Sequence, residues 1–286
     1  MAMKCFKVVQ QVLEDTYGEI PGKEAKRDAD IVKAITDLSD SYRNLNTGGP
    51  DFSKAVTRFA YVYMYVPSHA HWVHDLLEKC PQAAKIFEAE KVRIACIGGG
   101  PGSDLVGILK YLDTHHADDA PSVFCEIVDG CVEWKQTWSD IGFALEHDCN
   151  LHTDYVIHRV GDPNVWAYPN KFGKADLFTL SFFVSEIEHL GAPAWDYIEQ
   201  VLAKAKAGAF LLFNDNQTSR FYAPFDELCE KTGWETLVSD EGDRRVYDPG
   251  EKLDDLGRFK AKFNNRTSRL TGKMAWRVLR KKPSDD

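Results

Sequence analysis

The residues of this chain best suited to chemistry begin with Gly98, Gly99, Gly100, Pro101 and Gly102. They follow the apolar run Val92, Ile94, Ala95, Cys96 and Ile97, which reads as a strand covered on both faces. Ser103 comes next, placed to cap a helix whose apolar side is Leu105, Val106, Leu109 and Leu112. Glycines let the backbone turn sharply and lie against a ligand with no Cβ in between. A strand, a glycine turn and a helix N-terminus together suit a nucleotide-type ligand; a tight turn with no ligand is the plainer alternative. A dinucleotide fingerprint needs G-x-G-x-x-G, and from Gly98 its third glycine would fall on Ser103. The spacing that fits is G-x-G-x-G, over Gly98, Gly100 and Gly102.

Further polar residues fall after predicted strands. Asp129 closes the second strand and Asp162 follows the third; either type can also serve as a helix cap or turn residue. Glu186 and His189 follow the fourth strand, where a shared helix face would make them a base or a substrate anchor. An ordinary polar turn is the other reading of that pair. Tyr65 joins them as a third catalytic candidate, within an aromatic stretch holding Phe59, Tyr61, Tyr63, Trp72, His69, His71 and His74. His71 and His74 lie one helical turn apart, but no carboxylate or cysteine completes a metal spacing, so no metal is expected.

These candidates need a scaffold, and the chain supplies one in order. Residues 1–40 have helical apolar spacing, NTGGP at 46–50 reads as a loop, and the aromatic stretch follows as a helix. Pro67 is expected to end or kink that helix near Tyr65, with a second helix from about Ser68 to Glu78. Strands are then predicted over Ser122–Val128, Tyr155–Val160, Asp176–Val184, Gly208–Phe213 and Trp234–Val238, with helices over Val132–Leu145, about Ala194–Ala207 and Phe221–Lys231. A charged excursion, Asp240–Gly272, leads to a last strand at Lys273–Arg280. Alternating strands and helices predict an α/β fold: a doubly wound, mainly parallel seven-stranded sheet, its last strand antiparallel, with a helical N-terminal extension.

Composition bounds the class. In 286 residues, 44% are apolar and 28% charged, a globular balance with no apolar run near the ~20 residues a bilayer requires. The opening MAMKCFKVVQQVLED has no secretory pattern, and the seven cysteines form no C-x-x-C pair, so reduced thiols and a cytoplasmic or nuclear location are expected. A net charge of −9 weighs against nucleic-acid binding over the whole surface, leaving RVLRKK near the C-terminus as one local basic patch.

From Lys91 to Lys281 the chain resembles class I S-adenosylmethionine (SAM)-dependent methyltransferases, most specifically in IACIGGGPGSDLVGILKYL. That motif, with the aromatic helices before it, also resembles poorly characterised eukaryotic members and, more loosely, fungal large-subunit rRNA methyltransferases. Residues 1–90 read from their helical spacing as an N-terminal extension or lid, and the resemblance implies a methyltransferase domain at 91–286. It implies that Gly98, Gly100 and Gly102 cradle the methionine part and ribose of SAM, with Asp129 on the ribose hydroxyls and Asp162 on the adenine amino group. Gly99, Pro101, Gly130, Ser181 and Phe182 fill out the implied cofactor shell. Cys96 stands where many members carry an acidic residue, so the contact to the methionine end falls to another group, with Asp104 the candidate.

Methyl transfer is an in-line displacement that asks mainly for alignment and exclusion of water. The tetrapeptides N-P-P-Y or D-P-P-Y of exocyclic-amine enzymes are absent; SFFVSE stands after the fourth strand. No cysteine pair suits cytosine C5 chemistry. Three readings stay open: a methyltransferase (EC 2.1.1.-) acting on a small molecule or protein side chain, which the acidic charge favours; an RNA methyltransferase; and a non-catalytic SAM-binding scaffold, for which Cys96 is the sole support. Acceptor and oligomeric state are not fixed by the sequence.

Overall fold

In the computed structural model, residues 3–43, 49–162, 172–245, 247–263 and 266–283 are described. The apolar run before the glycines forms strand β1 (Lys91–Ile97), paired on one side with β2 (Ser122–Asp129) and on the other with β4 (Leu177–Ser181). β3 (Leu151–Ile157) lies outside β2, and β5 (Phe210–Asn216) outside β4, all parallel. β7 (Thr271–Lys281) then runs antiparallel between β5 and β6 (Trp234–Arg245), giving the order β3-β2-β1-β4-β5-β7-β6. This is the predicted seven-stranded α/β sheet with its last strand reversed. The strand order turns back between β1 and β4, so a crevice opens beyond their C-terminal ends, the usual place for a ligand in such sheets.

Successive side chains of a strand face opposite sides, and the core divides accordingly. Ile94, Cys96, Cys125 and Ile127 face one apolar cluster, which also takes in the N-terminal helices α1 (Cys5–Tyr17), α2 (Glu24–Arg43) and α3 (Ala55–Lys79). Ala95, Ile97, Phe178, Leu180 and Phe213 face the other cluster. A short helix, α4 (Pro81–Ala84), leads into β1. α5 (Ser103–His115) packs so closely on α3 that a Cβ at Gly107 would sit 2.2 Å from the Ala70 carbonyl oxygen. α6 (Trp134–Ala144) follows β2; α7 (Phe183–Ile187) and α8 (Ala192–Lys204) follow β4; α9 (Ser219–Lys231) follows β5.

Four expectations change. Pro67 does not end α3, which continues from Ala55 to Lys79. A proline leaves the carbonyl four residues earlier without its helical donor, and here Ser268 Oγ donates to the Tyr63 carbonyl at 2.5 Å. The Arg269 N–H likewise donates to the Met64 carbonyl at 2.9 Å, so a distant segment satisfies the interrupted turn. The third strand starts four residues before its predicted Tyr155, because β3 is an edge strand and its exposed His152, Thr153 and Asp154 carry no apolar signal. The fourth strand stops at Ser181, where Phe182 turns the backbone. The charged excursion shrinks at both ends: β6 runs on to Arg245, hydrogen-bonded to β7 despite its polar side chains, and a 3-10 turn (Leu253–Leu256) and α10 (Phe259–Lys262) fold within the rest. Of the predicted loop at 46–50, residues 46–48 lie outside the described residues. Among the described residues no helix is long and apolar enough to cross a membrane.

Ser268 is 1% exposed, so Ser268→Ala would strand the Tyr63 carbonyl without a partner. We expect a loss of ~1–3 kcal/mol, read from the midpoint of chemical denaturation. An unchanged midpoint would mean that this bond does not carry the proline turn.

Candidate functional site

The glycine turn sits at the mouth of the β1–β4 crevice. Gly98 has φ 66°, and a Cβ there would lie 2.1 Å from the Phe183 ring, so the turn touches the start of α7 through a gap only glycine leaves. Gly100 differs: its φ is 49°, but the nearest atom to an added Cβ is Trp134 Nε1 at 3.9 Å. The left-handed backbone, rather than crowding, selects glycine there, and its face is open. The Gly99 N–H donates to the Val128 carbonyl at 3.0 Å and the Gly102 N–H to the Gly99 carbonyl at 2.8 Å, with Pro101 between them. Ser103 is not the cap. Gly102, in the left-handed region, takes that position, and Ser103 is the first helical residue, its buried Oγ without a partner.

Asp129 ends β2 beside this turn. Its Oδ2 accepts the Gly100 N–H at 2.9 Å and its Oδ1 accepts the Cys131 N–H at 2.9 Å. Burial pushes the carboxyl up to about 6, against the backbone N–H groups of Cys131, Gly100 and Gly130. The side chain stays half-exposed, and each oxygen keeps a lone pair for a ligand. Gly130 passes close to the His158 carbonyl, 3.3 Å from an added Cβ. Asp104, in the first turn of α5, is 3% exposed and also pushed up to about 6 by burial, opposed by the Thr179 and Ser181 hydroxyls. Asp162 lies five residues past the end of β3, its N–H donating to the Arg159 carbonyl at 2.9 Å. Residues 163–171, next in the chain, lie outside the described residues.

Beyond β4 the wall becomes aromatic. Phe182 is the one non-glycine residue with positive φ among those described, at 56°. A bulky residue rarely holds this conformation unless its surroundings impose it. Here its N–H donates to the Asn214 carbonyl at 2.8 Å, and its ring stacks on His69 at 4.4 Å and 16°. Asn214 Nδ2 in turn donates to Ser181 Oγ at 2.9 Å. Tyr65 is buried, edge-on to Tyr42 at 5.3 Å and tilted on Tyr61 at 5.2 Å. The aromatic stretch of α3 therefore belongs to the buried core, with Tyr61 packed 5.2 Å from the Trp134 ring beside the glycine turn.

Glu186 faces this wall. Tyr42 Oη donates to its Oε1 at 3.0 Å. Burial pushes the carboxyl up to about 8; the Tyr42 bond opposes this, and Asp129 and Asp215 reinforce it. The residue lies deep yet keeps some solvent contact, as a group on a cleft floor does. His189 follows three residues later. α7 ends at Ile187, and His189 stands exposed in the next 3-10 turn, its Nδ1–H donating to the Glu186 carbonyl at 2.8 Å. His69 and His71 are held neutral: burial lowers them to about 3 and about 4, with Arg269 and Lys110 respectively adding to the effect. Among the described residues no cluster of three or more His, Cys, Asp or Glu could hold a metal ion.

Three residues of this wall escaped sequence reasoning. Tyr42 sits on a polar helix with nothing to mark it. Arg269 belongs to an excursion without periodicity. Asp215, fully buried at the end of β5, accepts the Ser185 and Asn216 N–H groups at 2.9 and 2.6 Å. Its position after a predicted strand was the only available signal.

No protein-family model matches the sequence, and no curated protein is similar to it in sequence. Solved structures are similar in fold. A Listeria monocytogenes protein assigned to the class I SAM-dependent methyltransferases is 12% identical, with 99% of this chain and 89% of that one covered and a TM-score of 0.49. A SAM-dependent methyltransferase of Methanosarcina mazei is 8% identical over 70% of this chain and 96% of its own, with a TM-score of 0.44. The precorrin-6y C5,15-methyltransferase of Geobacter metallireducens is 10% identical over 72% and 87%, with a TM-score of 0.42. The chain itself has a seven-stranded, doubly wound α/β sheet of the Rossmann-like kind, in the order β3-β2-β1-β4-β5-β7-β6.

Proposed function

We propose that this chain is a SAM-dependent methyltransferase whose acceptor is a small molecule or a protein side chain. The observation that carries the reading is the open face of Gly100 beside the half-exposed Asp129 carboxylate, at the sheet's switch point. Those residues fit the cofactor: the turn leaves a cradle a Cβ would occupy, and Asp129 retains acceptor capacity for vicinal hydroxyls. Gly98–Gly102, Asp129 and Gly130 would hold the ribose and methionine part, Asp104 and Ser181 the methionine end, and Asp162 the adenine. SAM supplies an electrophilic methyl group when bound. The protein's own part is to orient the acceptor against Phe182, exclude water with Tyr61 and Tyr65, and take a proton onto Glu186. Tyr42 positions that carboxylate, and the ordinary direction of a buried phenol, upward, keeps Tyr65 a donor rather than a base.

Thermal shift with SAM, its demethylated product, NAD and ATP tests the cofactor. A ligand that binds only the native state adds ~2.7 kcal/mol at a hundredfold excess over its Kd. SAM and its product are expected to stabilise the protein; a shift with NAD and none with SAM would sink the reading. Labelled SAM incubated with fractionated extract then locates the acceptor. Label in RNA would replace the small-molecule or protein acceptor, and cofactor binding with no transfer would mark a scaffold.

A further inference from the structure

Arg269 is a cation of the cleft that no described carboxylate pairs with. It lies half-buried just before β7, and burial pulls its guanidinium below its ordinary range. Its Nε donates to the Thr271 carbonyl at 3.2 Å, and its guanidinium carbon lies 5.6 Å from the Phe182 ring centre. The groups that sense its charge are the Tyr65, Tyr42 and Tyr61 hydroxyls and neutral His69. Withdrawing a guanidinium from water without an anion is costly, and proteins rarely leave that cost unmet. Glu186 forms no ion pair with it; its Oε1 accepts from Tyr42.

A second observation points to the same place. His69 is 7% exposed, and its Nε2 has no hydrogen-bond partner, while Nδ1 lies 3.3 Å from Tyr61 Oη. With the tyrosine hydroxyl donating to Nδ1, Nε2 carries the imidazole hydrogen and is a buried donor lacking an acceptor. Arg269 and His69 both lie against the ring of Phe182. A half-buried guanidinium and an unpartnered imidazole donor thus both adjoin the ring of Phe182.

We propose that Arg269 and His69 form an anion-recognising end of the acceptor pocket, and that the acceptor is a small molecule bearing a carboxylate or phosphate on a flat apolar body. A guanidinium matches either anion with two parallel N–H bonds, and Tyr42, Tyr61, Tyr65 and Phe182 supply surface for a planar body. This rests on the reading of the cleft as a methyl-acceptor pocket.

The test titrates benzoate, phenyl phosphate and uncharged benzamide into the full chain at constant ionic strength, with and without the demethylated cofactor. Wild type should bind at least one anion tenfold or more tighter than benzamide, and the stronger of the two identifies the anion. Arg269→Met should abolish the preference while leaving the cofactor's Kd within twofold, and Arg269→Lys, which keeps the charge but not the fork, should retain part of it. Circular dichroism checks that each variant folds. The proposal is overturned if neither anion outbinds benzamide, or if the preference survives Arg269→Met. It is equally overturned if that variant weakens the cofactor tenfold, which would place Arg269 on the cofactor's own carboxylate. Failure of wild type to bind the cofactor at all would sink the methyltransferase reading separately, because the anion preference is measured without it.

Discussion

Glu186→Gln is expected to lower turnover by roughly 100- to 10,000-fold, the range removed with a positioned general base, while cofactor affinity stays near wild type. The substitution keeps the side chain's size and its capacity to accept from Tyr42, so it tests proton transfer rather than packing. The acceptor fraction found with labelled SAM provides the assay. The wild-type rate should rise with pH and level off above about 8, because the base works only when ionised. Its folded value lies above its ordinary 4.5, so the native state favours the protonated carboxyl. The stability from that preference is complete below 4.5 and is lost as pH rises through about 8. Gln cannot ionise, so the variant should be more stable than wild type at pH 9, by on the order of 1 kcal/mol after allowing for screening by the solvent that still reaches the group. Unaltered turnover, or a rate independent of pH between 6 and 9, would remove Glu186 from the chemistry.

Asp129→Ala should weaken cofactor binding by roughly tenfold to beyond a hundredfold, from the ~1.5–3 kcal/mol scale of a hydrogen bond to a charged group. Asp162→Ala should cost less, since its contact is single while a ribose offers Asp129 two hydroxyls. The structure adds a second effect. The Asp129 carboxylate also holds the Gly100 and Cys131 N–H groups, so alanine would loosen the glycine turn and lower the melting temperature. Calorimetric titration must therefore accompany a denaturation curve. Burial raises Asp129 to about 6, so affinity should also fall as pH drops through that value, where the carboxylate becomes protonated. A folded Asp129→Ala protein with wild-type affinity would take the residue out of the cofactor site.

By itself the sequence determined the features that depend on local order. The β1 run, the glycine turn and the apolar stripe of α5 are contiguous, and their periods and missing side chains dictate strand, turn and helix whatever surrounds them. Asp129 was legible for the same reason, as the residue ending an apolar strand. The alternation of strands and helices was enough for the parallel sheet, and the two late strands for its reversed member. Tertiary structure decided the rest. Edge strands β3 and β6 hold their places by backbone hydrogen bonds, which polar side chains do not reveal in a one-dimensional pattern. Pro67 remains inside α3 because Ser268 and Arg269, some two hundred positions later, supply donors to its open carbonyls. Tyr42, Glu186 and Arg269 come from an N-terminal helix, the turn after β4 and the segment before β7, far apart in the chain. Charge, burial and ring contact joined them only when those three elements packed together, since such interactions depend on distance in space and carry no mark in spacing along the sequence.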